Sequence, residues 1–98
     1  MGDAFCVDID GDSMWPTIRD GERLEFVPHD TVNVPAEGSV VLAEHPLKEG
    51  VLMVKRVKSV SADRVFLEGD NPDPLASEDS HNFGTVPFCN IVGVWVGR

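Results

Sequence analysis

The sequence predicts an all-β domain, because strand-length apolar runs follow one another and Pro and Gly separate them. In the first run, Phe5, Val7 and Ile9 alternate with more polar neighbours. Alternation with a period of two is typical of a half-buried strand. The later runs are rich in Val, Leu, Phe and Trp. The predicted strands comprise residues 4–10, 22–28, 39–45, 51–60, 64–69 and 85–96.

Turn residues predict the connections between these strands. After the first strand, residues 14–18 predict one short helical turn that Pro16 limits. Ser61, Ala62 and Asp63 close a hairpin. Between the last two predicted strands lies a long irregular loop that is dense in hydrogen-bonding side chains. The other connections are punctuated by Pro28, Pro35, Gly38, Pro46 and Gly50.

Lys55 lies in an apolar row of the strand predicted over residues 51–60. With a period of two, Met53 and Val57 share its face and Arg56 points the other way. Burial in apolar surroundings disfavours the charged ammonium and lowers its pKa. The alternative is an edge-strand charge whose stem packs along the sheet while its amine stays in water.

Ser13 is the candidate partner of that amine. A serine hydroxyl becomes a good nucleophile only when a nearby base takes its proton, and a neutral lysine can be that base. A lysine with an ordinary pKa of about 10.4 needs a depression of roughly three units, or about 4 kcal/mol, to be half neutral near pH 7. Taken alone, the segment around Ser13 is more simply interpreted as a polar turn with a capping serine.

Three blocks of the chain form one recognisable set. Residues 11–17 are Gly-Asp-Ser-Met-Trp-Pro-Thr, and residues 54–57 are Val-Lys-Arg-Val. Residues 69–71 are Gly-Asp-Asn, and residues 77–80 are Ser-Glu-Asp-Ser. Together they resemble the type I signal peptidase family of Ser/Lys proteases, in which Gly-x-Ser-Met-x-Pro-Thr precedes a Lys-Arg strand and a Gly-Asp-Asn block with Ser-x-Asp-Ser-Arg. The resemblance spans most of residues 7–95, in the order of the family.

The resemblance implies roles for these residues. It makes Ser13 the nucleophile, with its backbone amide as one oxyanion donor, and Lys55 the general base and then the general acid. It makes Ser77 the residue that orients the lysine amine and Asp79 the brace of the surrounding loop. The residues that it implies for the floor of the site are Gly69, Asp70 and Asn71. It further implies a small coiled, partly closed β-sheet core with long catalytic loops and no cofactor.

Three positions depart from the family's pattern. His81 stands where most members have an arginine, so an ion pair with Asp79 becomes dependent on pH. Gly11 stands where some members have a serine that donates to the oxyanion, although Gram-positive-type members share the glycine. Gly21 and Glu22 replace the usual Gly-Asp, which we interpret as a neutral exchange.

Met14 and Trp15 are apolar residues in an otherwise polar turn. The functional interpretation is that they wall a substrate groove beside Ser13 and shield the lysine from water. The alternatives are packing onto the core, or an approach to the bilayer like that of similar residues in membrane-bound relatives. We expect a precursor protein or peptide to bind in extended form as an added strand. The resemblance implies small side chains at the first and third positions before the cut.

The net charge and the chain length limit which functional classes of protein fit this sequence. The net charge of −9 argues against binding to nucleic acid and to anionic lipid. The 98 residues, 42% of them hydrophobic, fit a single catalytic domain over residues 1–98. No run approaches the roughly 18 apolar residues of a membrane span, so we expect a cytoplasmic protein without a membrane anchor. If an anchor had been trimmed ahead of Met1, the expectation would be a membrane-associated enzyme.

Cysteine and histidine usage predicts no metal site. Cys6 and Cys89 lack Cys-x-x-Cys spacing and fall in predicted strands, so buried free thiols are expected, with a disulfide as the alternative. The three histidines are isolated from one another. Residues 8–12 resemble the start of a calcium loop, but the glycine comes too early and position twelve is Arg19.

Two branches of the signal peptidase family fit these features, and two other classes of protein are the alternatives. Glu-His-Pro at 44–46 and Asp-Asn-Pro at 70–72 resemble soluble maturation proteases for nickel-type superoxide dismutase, which remove a leader so that the new terminus binds nickel. The other branch is a general signal-peptidase-like processing enzyme. A self-cleaving repressor-type Ser/Lys protease is disfavoured because only twelve residues precede Ser13. A non-catalytic peptide-binding module is disfavoured because Ser13 and Lys55 are both present.

Overall fold

The structure is a computed structural model that describes residues 3–30 and 34–97. Its main feature is one seven-stranded sheet. The strands are β1 (Phe5–Asp8), β2 (Arg23–Pro28), β3 (Val40–Glu44), β4 (Leu52–Ser61), β5 (Arg64–Glu68), β6 (Val86–Pro87) and β7 (Ile91–Trp95). A short helix, α1 (Ser80–Phe83), and a 3-10 turn (Phe88–Asn90) lie between β5 and β7. Within these ranges, no helix is long and apolar enough to cross a membrane.

The sheet is antiparallel throughout and curls on itself. Its strand order is β1-β2-β7-β3-β4-β5-β6. The pairing register shifts between Leu42 and Ala43 on β3 and between Val57 and Ser59 on β4. Such irregularities bend a strand and increase its local twist. The resulting curled half-barrel confirms the predicted all-β class.

Both faces of β3 are buried, which creates two core clusters. Val41 and Ala43 belong to the first cluster, whereas Val40 and Leu42 belong to the second. Successive side chains of a strand point to opposite faces, so these alternate residues mark the two sides of the sheet. The other buried members of the second cluster are Met14, Ile18, Leu24 and Phe26. This second cluster therefore anchors the turn that follows β1.

The first five strands agree with the sequence prediction to within two residues at either end. The predicted hairpin is also present, since β4 ends at Ser61 and β5 begins at Arg64. The predicted strand over 85–96 is wrong, because the chain breaks at Phe88–Asn90. Its first part, β6, pairs with β5, whereas β7 pairs with β2 and β3. One continuous strand cannot reach both an edge and the centre of the sheet.

The loop after β5 contains a helix that the sequence analysis left irregular. Asp79 caps α1 by accepting a hydrogen bond from His81 N (2.9 Å), and Asn82 Oδ1 accepts one from Asp79 N (3.0 Å). This reciprocal pair is a capping box. Four residues are too few to show helical periodicity in a sequence, so only the capping side chains could have indicated this helix.

The two cysteines are exposed free thiols, contrary to the expected burial. Cys6 occupies an exposed position of β1, where the burial alternates along the strand. Cys89 lies in the 3-10 turn that interrupts the predicted last strand. Cys6 is exposed because it points away from the face of β1 that carries the partly buried Phe5 and Val7.

Candidate active site

Ser13 sits in a turn that is fastened from both sides. Ile18 N donates to Met14 O (2.9 Å), which is the single helical turn predicted over residues 14–18. Met14 and Ile18 are both buried in the second core cluster. At the start of the turn, Gly11 has φ +92°, a conformation that favours glycine, and its N–H donates to Asp20 Oδ1 (2.7 Å). Ser13 is thus held on a rigid support while remaining partly accessible.

Lys55 lies in the middle of β4 and is only 4% exposed, as the apolar row predicted. Burial lowers the pKa of Lys55, while the charges of Asp79 and Glu78 oppose that shift. Its Nζ donates a hydrogen bond to Ser77 Oγ (2.8 Å). Within the described residues, Lys55 forms no ion pair. The amine is therefore buried, easier to deprotonate than an exposed lysine, and held in place by a hydroxyl group.

Ser13, Lys55 and Ser77 line the same cavity, whose volume is about 350 Å³. Its walls come from residues 7–10 at the end of β1 and from residues 52–55 on β4. The hydrogen bonds of the described residues do not include one between Ser13 Oγ and Lys55 Nζ, so the serine and the amine share a cavity rather than a direct bond. Catalytic hydrogen bonds commonly tighten only when substrate is bound.

A larger cavity of about 630 Å³ lies under the loop after β5. Ser77, Asp79 and His81 are among its lining residues, but neither Ser13 nor Lys55 lines it. Size alone would favour this cavity as the binding site. We take the smaller cavity as the candidate site, because of these two cavities it is the one that Ser13 and the buried Lys55 both line.

Gly69 lets the end of β5 pack closely beneath the site. A Cβ atom at this position would lie 2.5 Å from Ser77 Oγ and 2.7 Å from the carbonyl oxygen of Ser13. Both distances are shorter than real carbon contacts, so only glycine fits without displacing the two serines. Gly69 N also donates to Asp79 Oδ2 (3.1 Å).

Asn71 ties the loop to the turn of Ser13. Its backbone N–H donates to Ser13 O (3.0 Å), and its side-chain Nδ2 donates to Asp12 O (2.8 Å). Both carbonyl groups of the turn next to the nucleophile are therefore oriented by one residue. Such fixing of the supporting backbone is what a preorganised site requires.

Asp70 forms the main charged link between the loop and the sheet. Arg56 donates to both carboxylate oxygens, from Nε at 2.8 Å and from Nη2 at 2.7 Å. Thr17 Oγ1 donates to the same carboxylate at 2.7 Å. The hydrogen bonds from Arg56 lower the pKa of Asp70, and those to Asp70 raise the pKa of Arg56.

Asp79 is braced by backbone donors and by His81. Besides the bonds from Gly69 N and His81 N, its Oδ1 lies 2.9 Å from His81 Nδ1. Burial raises the pKa of Asp79, but these hydrogen bonds outweigh burial and keep it below its usual range. His81 thus occupies the position next to the carboxylate where the signal-peptidase pattern has an arginine.

The side chains of Met14 and Trp15 lie in different surroundings in the structure. Met14 is 2% exposed, belongs to the second core cluster and also lines the cavity of Ser13. Trp15 is 45% exposed and lines a separate depression that contains Asp12 and Arg19 instead. The structure therefore brings Met14 to the cavity and leaves Trp15 outside it.

The sequence analysis missed Glu78 and His45. Glu78 lines the cavity of Ser13, and its Oε1 lies 2.5 Å from His45 Nε2. The two residues are 33 positions apart in the chain. In the sequence they stood out only as members of the blocks 44–46 and 77–80, and nothing local indicates that the β3–β4 connection reaches this loop.

The all-β fold is consistent with a Ser/Lys protease-type domain, and the match to a family model supports a function of that type in general. The chain belongs to the Peptidase S24-like family, whose family model matches residues 1–96. This family lies within the superfamily that includes both self-cleaving repressors and signal-peptidase-like proteases, and it includes non-catalytic members. Among curated proteins, no match to the chain was found.

Proposed function

We propose that this protein is a serine endopeptidase that uses Ser13 as the nucleophile and Lys55 as the general base, and that it removes an N-terminal leader from a precursor protein. The observation that carries the proposal is the buried Lys55 amine, which Ser77 Oγ holds at the wall of the cavity that Ser13 shares. An exposed lysine would be protonated and could not accept a proton near neutral pH.

The reaction follows from these two groups. Ser13 Oγ attacks the carbonyl carbon of the scissile peptide bond while Lys55 Nζ accepts the hydroxyl proton. The Ser13 backbone N–H stabilises the resulting oxyanion. Collapse of this intermediate breaks the C–N bond, and the Lys55 ammonium gives its proton to the departing amine. The neutral Lys55 amine then deprotonates a water that attacks the acyl-enzyme carbonyl, and the ammonium returns its proton to Ser13 Oγ as the ester C–O bond breaks.

The cavity suits a peptide in extended form. Its two walls are residues 7–10 and residues 52–55, which are stretches at β1 and on β4. A strand-like peptide between such walls can hydrogen-bond to the backbone while alternate side chains enter the cavity. Small side chains next to the cut are proposed from the resemblance to signal peptidases. A leader peptide of nickel-type superoxide dismutase is the first substrate to test, given the resemblance of residues 44–46 and 70–72.

The test is mass-spectrometric detection of cleavage in a diverse peptide library that contains such a leader peptide. We expect cleavage by the wild type and the loss of nearly all cleavage in Ser13→Ala and Lys55→Ala. Ser61→Ala and Lys58→Ala are matched controls, because both residues lie exposed on β4 and should leave cleavage unchanged. Cleavage that persists in Ser13→Ala would refute the mechanism.

The family match also supports a second candidate, a domain that cleaves its own chain as repressor-type members of the superfamily do. Self-cleavage within one molecule has a rate constant that does not depend on protein concentration. Incubation of the protein at several concentrations, followed by intact-mass measurement, separates this candidate from a protease that acts on other chains. A non-catalytic binding module would instead retain a peptide equally in the wild type and in Ser13→Ala, with no cleavage by either.

A further inference from the structure

His45 lies in the connection between β3 and β4, where its ring is held on several sides. Its Nδ1 accepts hydrogen bonds from the backbone N–H groups of Leu47 (3.0 Å) and Lys48 (3.1 Å). The ring of Phe83 on α1 packs against it with 4.8 Å between ring centroids. The His45 side chain is only 5% exposed, although the connection itself lies at the surface.

These contacts determine which nitrogen of His45 carries the proton. A ring nitrogen that accepts from two N–H groups must present its lone pair, so Nδ1 is unprotonated. The proton of the neutral ring therefore resides on Nε2, which lies 2.5 Å from Glu78 Oε1. His45 is thus a fixed donor that faces one carboxylate oxygen.

Glu78 is held by this donor and by Lys48. Lys48 Nζ lies 3.3 Å from the same Oε1, but the Lys48 side chain is 59% exposed and solvent weakens its pull. Hydrogen bonds from His45 and then from Lys48 keep the pKa of Glu78 below its usual range. His45 is therefore the buried and rigid partner of the two.

Segment 77–79 carries one anchor on each residue. Ser77 accepts from Lys55 Nζ, Glu78 contacts His45, and Asp79 accepts from Gly69 N. Before this segment, Leu75 is 93% exposed and gives no packing support. On that side the backbone is held by the bond from Ala76 N to Asp73 O (3.1 Å), and on the other side the orientation of Ser77 depends on the anchors of its two following neighbours.

We propose that His45 is a positioning residue, which holds Glu78 and thereby fixes Ser77 Oγ against Lys55 Nζ. The inference rests on the proposed Ser/Lys mechanism. Through His45, the β3–β4 connection supports the site, although none of its described residues contacts the reacting atoms. Residues that orient a catalytic group commonly change the rate without altering the chemistry itself.

The test compares His45→Leu, which removes both ring nitrogens, with His45→Gln, whose amide keeps a donor in reach of Glu78. Lys48→Ala is the control, because it removes the other partner of Glu78 and leaves His45 in place. Two quantities are measured in each variant: kcat and KM for a cleaved library peptide, and the Lys55 titration followed by the NMR signal of its Cε. Far-UV circular dichroism checks that each variant is folded.

We expect kcat of His45→Leu to fall roughly 10- to 100-fold, with little change in KM, because a displacement of about 1 Å in a catalytic group costs that much. The Lys55 midpoint should move to lower pH, since the released Glu78 charge no longer favours the ammonium. His45→Gln should recover most of both quantities, and Lys48→Ala should resemble the wild type. Glu78→Gln should reproduce the lowered midpoint without disturbing a buried ring.

Failure of this inference is distinguishable from failure of the proposed function. Wild-type kcat or a wild-type Lys55 titration in folded His45→Leu overturns the inference, while Ser13-dependent cleavage by the wild type leaves the mechanism standing. If the wild type cleaves no peptide, the mechanism fails and the titrations alone decide whether His45 positions the amine. Should His45→Leu fail to fold, wild-type kcat in folded Glu78→Ala, which removes the contact with His45 altogether, overturns the inference in its place.

Discussion

Lys55 and Arg56 are consecutive residues of β4 with opposite electrostatic surroundings. Lys55 faces an apolar interior, and burial lowers its pKa. Arg56 faces the other side of the sheet, where hydrogen bonds to Asp70 raise its pKa. The alternation of side chains along a strand makes this separation possible within two residues. One dipeptide thus provides an amine that can lose its charge and a permanent cation that anchors the loop.

The depressed pKa of Lys55 predicts how cleavage depends on pH. Because the neutral amine is the active form in the proposed mechanism, kcat/KM should rise in proportion to the neutral fraction and level off above the lowered pKa. The rise should therefore end below the ordinary lysine value of about 10.4. The measurement is kcat/KM from mildly acidic to alkaline pH, with a peptide that has no ionisable groups in this range.

A flat profile over this range would contradict a lysine base. Lys55→Arg is the matching control, because a guanidinium keeps the positive charge and does not lose its proton in proteins. This variant should show no cleavage at any pH. Substantial cleavage by Lys55→Arg would mean that the cation, rather than a neutral amine, assists the reaction.

The loop between β5 and α1 is held at several points by bonds to strand β4 and to the turn of Ser13. Asp70 pairs with Arg56 on β4, and Asn71 bonds to the turn of Ser13. Ser77 accepts from Lys55, also on β4. Hydrogen bonds centred on Asp73 shape the middle of the loop, while these contacts fix the loop to the rest of the molecule. Loss of one tie should therefore loosen the loop and leave the sheet intact.

The Asp70 ion pair predicts a stability difference that depends on pH. Its folded pKa lies below the unfolded value of about 3.9, so its stabilisation is fully present above that value and is lost as pH falls through the folded pKa. Asp70→Asn should lower the free energy of unfolding by about 2 kcal/mol at neutral pH, the usual scale for charged hydrogen bonds. This difference should shrink at about pH 2. Urea unfolding followed by tryptophan fluorescence measures both values.

Asp63→Asn serves as the comparison for this measurement, because Asp63 is an exposed carboxylate in the β4–β5 turn. It should change the free energy of unfolding little at either pH. An Asp70→Asn effect of equal size at neutral and acidic pH would show that the substitution acts through shape or packing and not through the ion pair.

The sequence predicted those parts of the molecule that depend on neighbours in the chain. Alternation of apolar residues indicated β1 to β5, and it placed Lys55 on the buried face of β4. The motifs singled out Ser13 and Lys55, which the fold brings to one cavity. Local patterns carried this information because a strand's period fixes which residues share a face.

Other parts depended on contacts that no local pattern contains. The break at Phe88 arises because the two halves of a predicted strand pair with different partners. The contact of His45 with Glu78 depends on how the β3–β4 connection meets the loop after β5. Cys89 is exposed because it lies in that break and not in a strand. In each case, tertiary packing decided what the sequence left open.

The charge of the whole molecule predicts a preference among substrates. The net charge is −9, and three acidic residues lie in the walls of the cavity that contains Ser13 and Lys55, namely Asp8, Asp10 and Glu78. A field of one sign raises the local concentration of oppositely charged ligands, and salt screens it. A cleaved peptide with lysines flanking its cut region should therefore have a higher kcat/KM than its twin with glutamates.

This preference should depend on ionic strength, which separates it from a specific contact. The advantage of the lysine peptide should be large at about 0.01 M salt, where the Debye length is about 30 Å, and small at about 1 M, where it is about 3 Å. The measurement is the ratio of kcat/KM for the two peptides at both salt concentrations. An equal ratio at the two concentrations would show that an individual side chain, rather than the field of the acidic domain, selects the substrate. Because long-range attraction acts on encounter, the change should appear in kcat/KM while kcat stays nearly constant.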